Sequence, residues 1–156
     1  MFKGALLIVI FGLILLSVTS YFFFMDEAPK TAEYQSSELS EKVISINNAP
    51  LTVEVVDEPH EQVQGLSDRD SLDRDHGMLF VFSQPSKPGF WMKDMRFSLD
   101  LIWIDENGTI TEITPNVSPD TFPQTFFPAF PVKYVLEVNA GWSKDNSIQT
   151  GDKIEF

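Results

Sequence analysis

Hydrophobic and polar positions fall into three regimes along the chain. From Gly4 to Met25 no residue carries a charge, and only Ser17, Thr19 and Ser20 are hydroxylic. As a helix this run is about 33 Å long, close to the roughly 30 Å of a bilayer hydrocarbon core. Residues 26–41, DEAPKTAEYQSSELSE, are polar and lack apolar periodicity, which predicts a flexible stalk. From Lys42 to Phe156 the pattern changes to short apolar runs broken by turn residues, the signature of strands.

Those runs predict strands over 43–46, 51–56, 78–82, 90–92, 99–104, 109–113, 134–138 and 153–156. Met78–Phe82 is continuously apolar, as suits a strand buried on both faces. Asp-Glu-Asn-Gly between 99–104 and 109–113 predicts a hairpin, with Asn107-Gly108 supplying positive φ. One short helix is predicted, with Asp57 as N-cap, Pro59 in the first turn and Gly65 as the stop. Residues 115–131 carry five prolines and four phenylalanines and read as a long anchored loop, without a strand. Its phenylalanines close the end of a β core or present a partner surface. The fold class is therefore mainly β, a single sandwich or barrel-like domain with one short helix, preceded by an N-terminal transmembrane helix.

Lys3 before the uncharged run and Asp26-Glu27 after it predict a single pass with the N-terminus cytoplasmic and the domain extracytoplasmic. The alternative is a cleaved signal peptide, with Val18 and Ser20 at the small-residue positions, which leaves a secreted or periplasmic domain. Charge and composition narrow the partners. Eleven Lys/Arg against 23 Asp/Glu give a net charge of −12, which argues against nucleic acid. The absence of cysteine removes disulfide partners, thiolate metal sites and thiol nucleophiles.

Three ordered blocks carry a family resemblance. They are Gly77-Met78-Leu79-Phe80-Val81-Phe82, then Phe90-Trp91-Met92-Lys93-Asp94-Met95 with Leu99–Asp105, then Tyr134–Gly141 ending near Gly151-Asp152. Over nearly all of 42–156 the chain resembles the domain of unknown function family 192, a group of small, often exported proteins. The resemblance implies a compact, mainly β domain and no established activity. The chain departs from the family pattern at Asp94 and Met95, where Asn-Thr is common. It departs again at Gln62, which stands in the place of an Arg, and at Ser67 of Gly65-Leu66-Ser67, where Gly-Leu-Met is common.

Strand alternation singles out two carboxylates. Leu99, Leu101 and Trp103 share one face of their strand, so Asp100 lies with Ile102 and Ile104. Tyr134, Leu136 and Val138 share a face, so Glu137 lies with Val135. A buried carboxylate needs partners, and one left unpaired has a raised pKa. Arg96, Lys93, Arg69 and Trp91 are the available partners. On one reading Asp100 and Glu137 hold a polar ligand beside Trp91. On the other they cap backbone N–H groups or pair with Arg96, and their role is structural.

The remaining chemistry is sparse. Segment 68–77 holds four Asp and a His, but Leu72 and the missing glycine break the EF-hand spacing, and Arg69 and Arg74 offset the charge. His60 and His76 alone do not make a zinc site, so no metal is expected. Nucleotide, dinucleotide and hydrolase motifs are absent, and no cofactor is expected. Two functions follow as expectations. One is a membrane-anchored binding or accessory module for a small molecule or an envelope protein. The other is an extracytoplasmic hydrolase using Asp100 and Glu137 as a carboxylate pair about 5–9 Å apart.

Overall fold

The structure, a computed structural model, describes residues 39–156. The candidate span at 4–25 and all but the last residues of the candidate stalk lie outside them. No helix among the described residues is long and apolar enough to cross a membrane.

Nine strands are present among the described residues: β1 (Ser40–Ile46), β2 (Ala49–Val56), β3 (His76–Ser86), β4 (Phe90–Trp91), β5 (Leu99–Ile104), β6 (Ile110–Val117), β7 (Thr125–Phe126), β8 (Val132–Asn139) and β9 (Ile154–Glu155). Seven of them form one sheet in the order β6-β5-β8-β3-β2-β1-β9, while β4 and β7 pair separately. The large sheet curls into a half-barrel. Its edges meet through the C-terminal segment: Ile154 pairs with Ile46 of β1. The same segment bonds β6, with Ile110 N–H donating to Asp152 C=O and Ile154 N–H to Gly108 C=O. The segment thus covers one end of each edge strand.

Turn chemistry sets the local register. Asn47 and Asn48 both take positive φ, which a two-residue hairpin between β1 and β2 requires. In the β5–β6 hairpin only Gly108 has positive φ, at 75°, so Asn107 does not share that role. The Asp105 carboxylate instead accepts from Asn107 N–H and Thr109 N–H, both at 2.8 Å.

β2 and β3 are parallel, and parallel neighbours need a crossover. That crossover carries α1 (Pro59–Gln64) onto one face of the sheet. Its N-cap is Glu58, one residue later than predicted, with Glu61 accepting from the Glu58 N–H. The Gln62 side-chain amide donates to Val81 C=O at 2.9 Å, fixing the helix over the sheet.

The alternation within each strand builds two cores. Inside the curl lie Ile44, Leu51, Val53, Leu79, Ile102, Leu136 and Val138, closed by Trp142 and Ile154. On the outer face Met78, Phe80, Leu101, Trp103 and Val135 are covered by Leu66, Met92 and the β4–β7 pair. The apolar β3 run is buried on both faces over Met78–Phe80, as its sequence predicts, and half-buried at Val81 and Phe82. Segment 115–131 differs from its prediction. It finishes β6, makes a 3-10 turn at Pro119–Thr121 and contributes β7, which straps across β4. A second short helix, α2 (Trp142–Asp145), has no counterpart among the predicted elements.

Candidate functional site

The register of β5 against β8 decides the relation of the two carboxylates. Asp100 lies opposite Val138, and Leu101 opposite Glu137. Directly opposed residues project to the same face. Asp100 therefore points into the curl and Glu137 points out of it, onto the face covered by α1 and β4. A sheet stands between them, so the predicted acid–base pair and the hydrolase built on it are corrected: these carboxylates share no cleft.

Asp100 is fully committed. It is 1 % exposed. One carboxylate oxygen accepts from Asn116 N–H (2.9 Å) and Gly141 N–H (3.1 Å), and the other from Ser143 N–H (3.1 Å). Asn116 holds positive φ at the irregular end of β6, and Gly141 begins α2. Asp100 thus ties two segments that lack sheet partners there, and its role is structural.

Glu137 is placed differently. It is 6 % exposed. No hydrogen bond or ion pair among the described residues reaches its carboxylate. Burial alone pushes its pKa from 4.5 up to about 8. Its side chain borders a cleft of about 310 Å³ between α1 and β4, whose apolar walls include Leu66, Phe80, Phe90 and Trp91. Trp91 (55 % exposed) and Val63 (81 % exposed) are exposed apolar side chains on this lining. Phe90 is fixed from beneath, edge-on to Phe80 at 4.8 Å and to Trp103 at 5.5 Å between centroids. Such aromatic packing holds the adjacent Trp91 backbone in place.

The other predicted partners do not enter the cleft. Arg69 makes a two-point pair with Glu54 of β2 at 2.5 and 2.7 Å, which raises its pKa above the ordinary guanidinium value. Arg96 pairs with Asp70, and Lys93 lies 3.6 Å from the Asp94 carboxylate. Of the six predicted ligand-binding residues the fold therefore brings Glu137 and Trp91 together. It sends Asp100 to the other face and leaves Arg69, Arg96 and Lys93 in ion pairs outside the lining. The acids of 68–77 are partly used in those pairs, and no cluster of three metal-binding side chains occurs among the described residues.

Gln62, Ser67 and Met95 also line the cleft. Three of the four departures from the family pattern thus meet at one place, a grouping that their separation in sequence conceals.

The comparisons agree with this architecture. Residues 42–156 match the DUF192 family, described as "Uncharacterized ACR". A Sinorhizobium meliloti 1021 protein, whose crystal structure was described as that of a proposed transcription regulator, is 34 % identical with a TM-score of 0.71. The match covers 75 % of this chain and 94 % of that one. A protein of unknown function from Novosphingobium aromaticivorans DSM 12444 is 27 % identical with a TM-score of 0.71, covering 79 % of this chain and 90 % of that one. No curated protein matches. With the family match spanning the whole β domain, the chain belongs to the DUF192 family.

Proposed function

We propose that the β domain is a small-ligand binding module whose site is the cleft between α1 and β4, and that residues 4–25 tether it to the outer face of a membrane. The observation that carries the first part is Glu137. A buried carboxylate without a partner is costly to the fold, and such groups concentrate at sites where a ligand completes the set. The cleft combines apolar walls with few polar groups, as small-molecule sites do. The tether rests on the 22-residue uncharged run and its flanking charges.

Mass spectrometry of small molecules that copurify with the full chain tests the binding reading. A compound enriched on the wild type and lost from Trp91→Ala supports it. Equal recovery from both chains, or no compound at all, counts against it. Protease added to intact cells tests the tether: release of the domain by cleavage within 26–41 is expected, and full protection refutes the topology.

A further inference from the structure

The charge of the cleft lining points to a chemical class of ligand. Among the described residues Glu137 is the one ionisable side chain on the lining, and no Lys, Arg or His of theirs contributes to it. The cations flagged by the sequence lie outside the lining, Arg69 paired with Glu54, Arg96 with Asp70, and Lys93 3.6 Å from the Asp94 carboxylate. An anionic ligand would meet a carboxylate and no counter-charge. A purely apolar ligand would bury that carboxylate further and leave it unpaired.

The walls favour the opposite sign of charge. Phe80, Phe82, Phe90 and Trp91 all line the cleft. Aromatic faces attract cations through the ring quadrupole. The chain's net charge of −12 adds a long-range field of the same preference. We propose that the cleft binds an amphiphilic organic ammonium, its apolar or aromatic body lying against Phe90 and Trp91 and its N–H groups donating to the Glu137 carboxylate. This inference rests on the cleft being a ligand site and adds the class of ligand.

Binding of this kind ionises Glu137 at the moment its partner arrives. The ammonium supplies the opposite charge and the hydrogen-bond donors that the fold withholds. Burial raises the carboxyl to about 8 in the empty cleft, so a neutral Glu137 could instead donate to a ligand carbonyl. That reading makes a neutral amide the better ligand, and the experiment separates the two.

Titration calorimetry of the full chain in a maltoside detergent, at about pH 7, uses three probes of similar size: 2-phenylethylammonium, phenylacetamide and 3-phenylpropanoate. At this pH an alkylammonium, with a pKa of about 10, remains charged. The ammonium is expected to bind at least about tenfold more tightly than the amide, with the carboxylate weakest. Glu137→Gln is expected to remove the preference for the ammonium while leaving amide binding within about twofold. Trp91→Ala is expected to weaken all three probes. An amide or carboxylate that binds as tightly as the ammonium overturns the ammonium class but leaves the cleft as a binding site. Persistence of the preference in Glu137→Gln does the same. If none of the three probes binds the wild type, both the class and the binding reading fall.

Discussion

Replacing Glu137 by Gln should stabilise the protein, and by an amount that grows with pH. Gln keeps the size and the polar end of the side chain and removes only ionisation. Burial raises the folded carboxyl from 4.5 to about 8. The sign follows from proton linkage. A raised folded pKa means that the native chain holds a proton that the unfolded chain has already released. Wild-type stability therefore falls as pH rises from about 4.5 to about 8 and levels off above that. At about 1.4 kcal/mol per pH unit, the gap amounts to about 3 kcal/mol at pH 7 and about 5 kcal/mol above pH 8.5. These are upper figures, because the cleft is open and water reaching the carboxylate softens its burial. Below pH 4 the carboxyl is neutral in both states, and the two chains should be equally stable. Thermal melts of wild type and variant at pH 4, 7 and 9 read this directly. At pH 7 the variant should melt about 10 °C higher. Every other titrating group is common to both chains, so the difference isolates Glu137. A variant equal to or weaker than wild type at pH 7, or a difference that does not change between pH 4 and pH 9, would refute the account of Glu137 as a buried, unpaired acid.

The same substitution chemistry at Asp100 should have the opposite sign. Asp100→Asn replaces one acceptor oxygen by an NH2 group and removes the charge that three backbone donors share, costing about 3 kcal/mol, measurable as a lower Tm at pH 7. Gly89→Ala places a methyl group 2.8 Å from the Phe127 ring and from the Thr125 side chain. It should displace the β7 strap, lower stability by about 1–2 kcal/mol and weaken probe binding in the cleft by calorimetry. Arg69→Met unpairs Glu54 at a partly exposed site, and should cost no more than about 1 kcal/mol, with the loss shrinking as salt is added to the melt.

These contrasts show which parts of the site were legible in the chain. Strand alternation assigned the faces of β5 and β8 correctly. Leu101 and Trp103 lie in one core and Ile102 and Ile104 in the other, while Leu136 and Val138 lie opposite to Val135. Alternation says nothing of how one strand's faces align with another's when the whole of β6, a 3-10 turn and β7 lie between them in the chain. That alignment is set by pairing register, and it alone decides whether two carboxylates meet. The donors to Asp100 come from 16, 41 and 43 residues away, and α2 spans four residues, too few for any periodicity. β7 hides in a proline-rich stretch because two residues suffice to pair with Phe90 and Trp91.

Asp100 and Glu137 also show why a carboxylate in an apolar strand is ambiguous until its surroundings are known. Both are buried, and both sit on adjacent interior strands of one sheet. Asp100 faces the inside of the curl, where the irregular end of β6 and the start of α2 leave backbone N–H groups in need of acceptors, and it satisfies three of them. Glu137 faces the side covered by α1 and β4. There the covering elements satisfy their own backbones: Gly65 N–H bonds to Glu61 C=O within the helix turn, and β4 pairs with β7. Neither set of donors reaches the Glu137 carboxylate, and a buried carboxylate without a partner among the described residues is matched by a group from outside the chain or by its own proton. That choice, between an external cation and a retained proton, is what the pH dependence of Glu137→Gln and the probe series resolve.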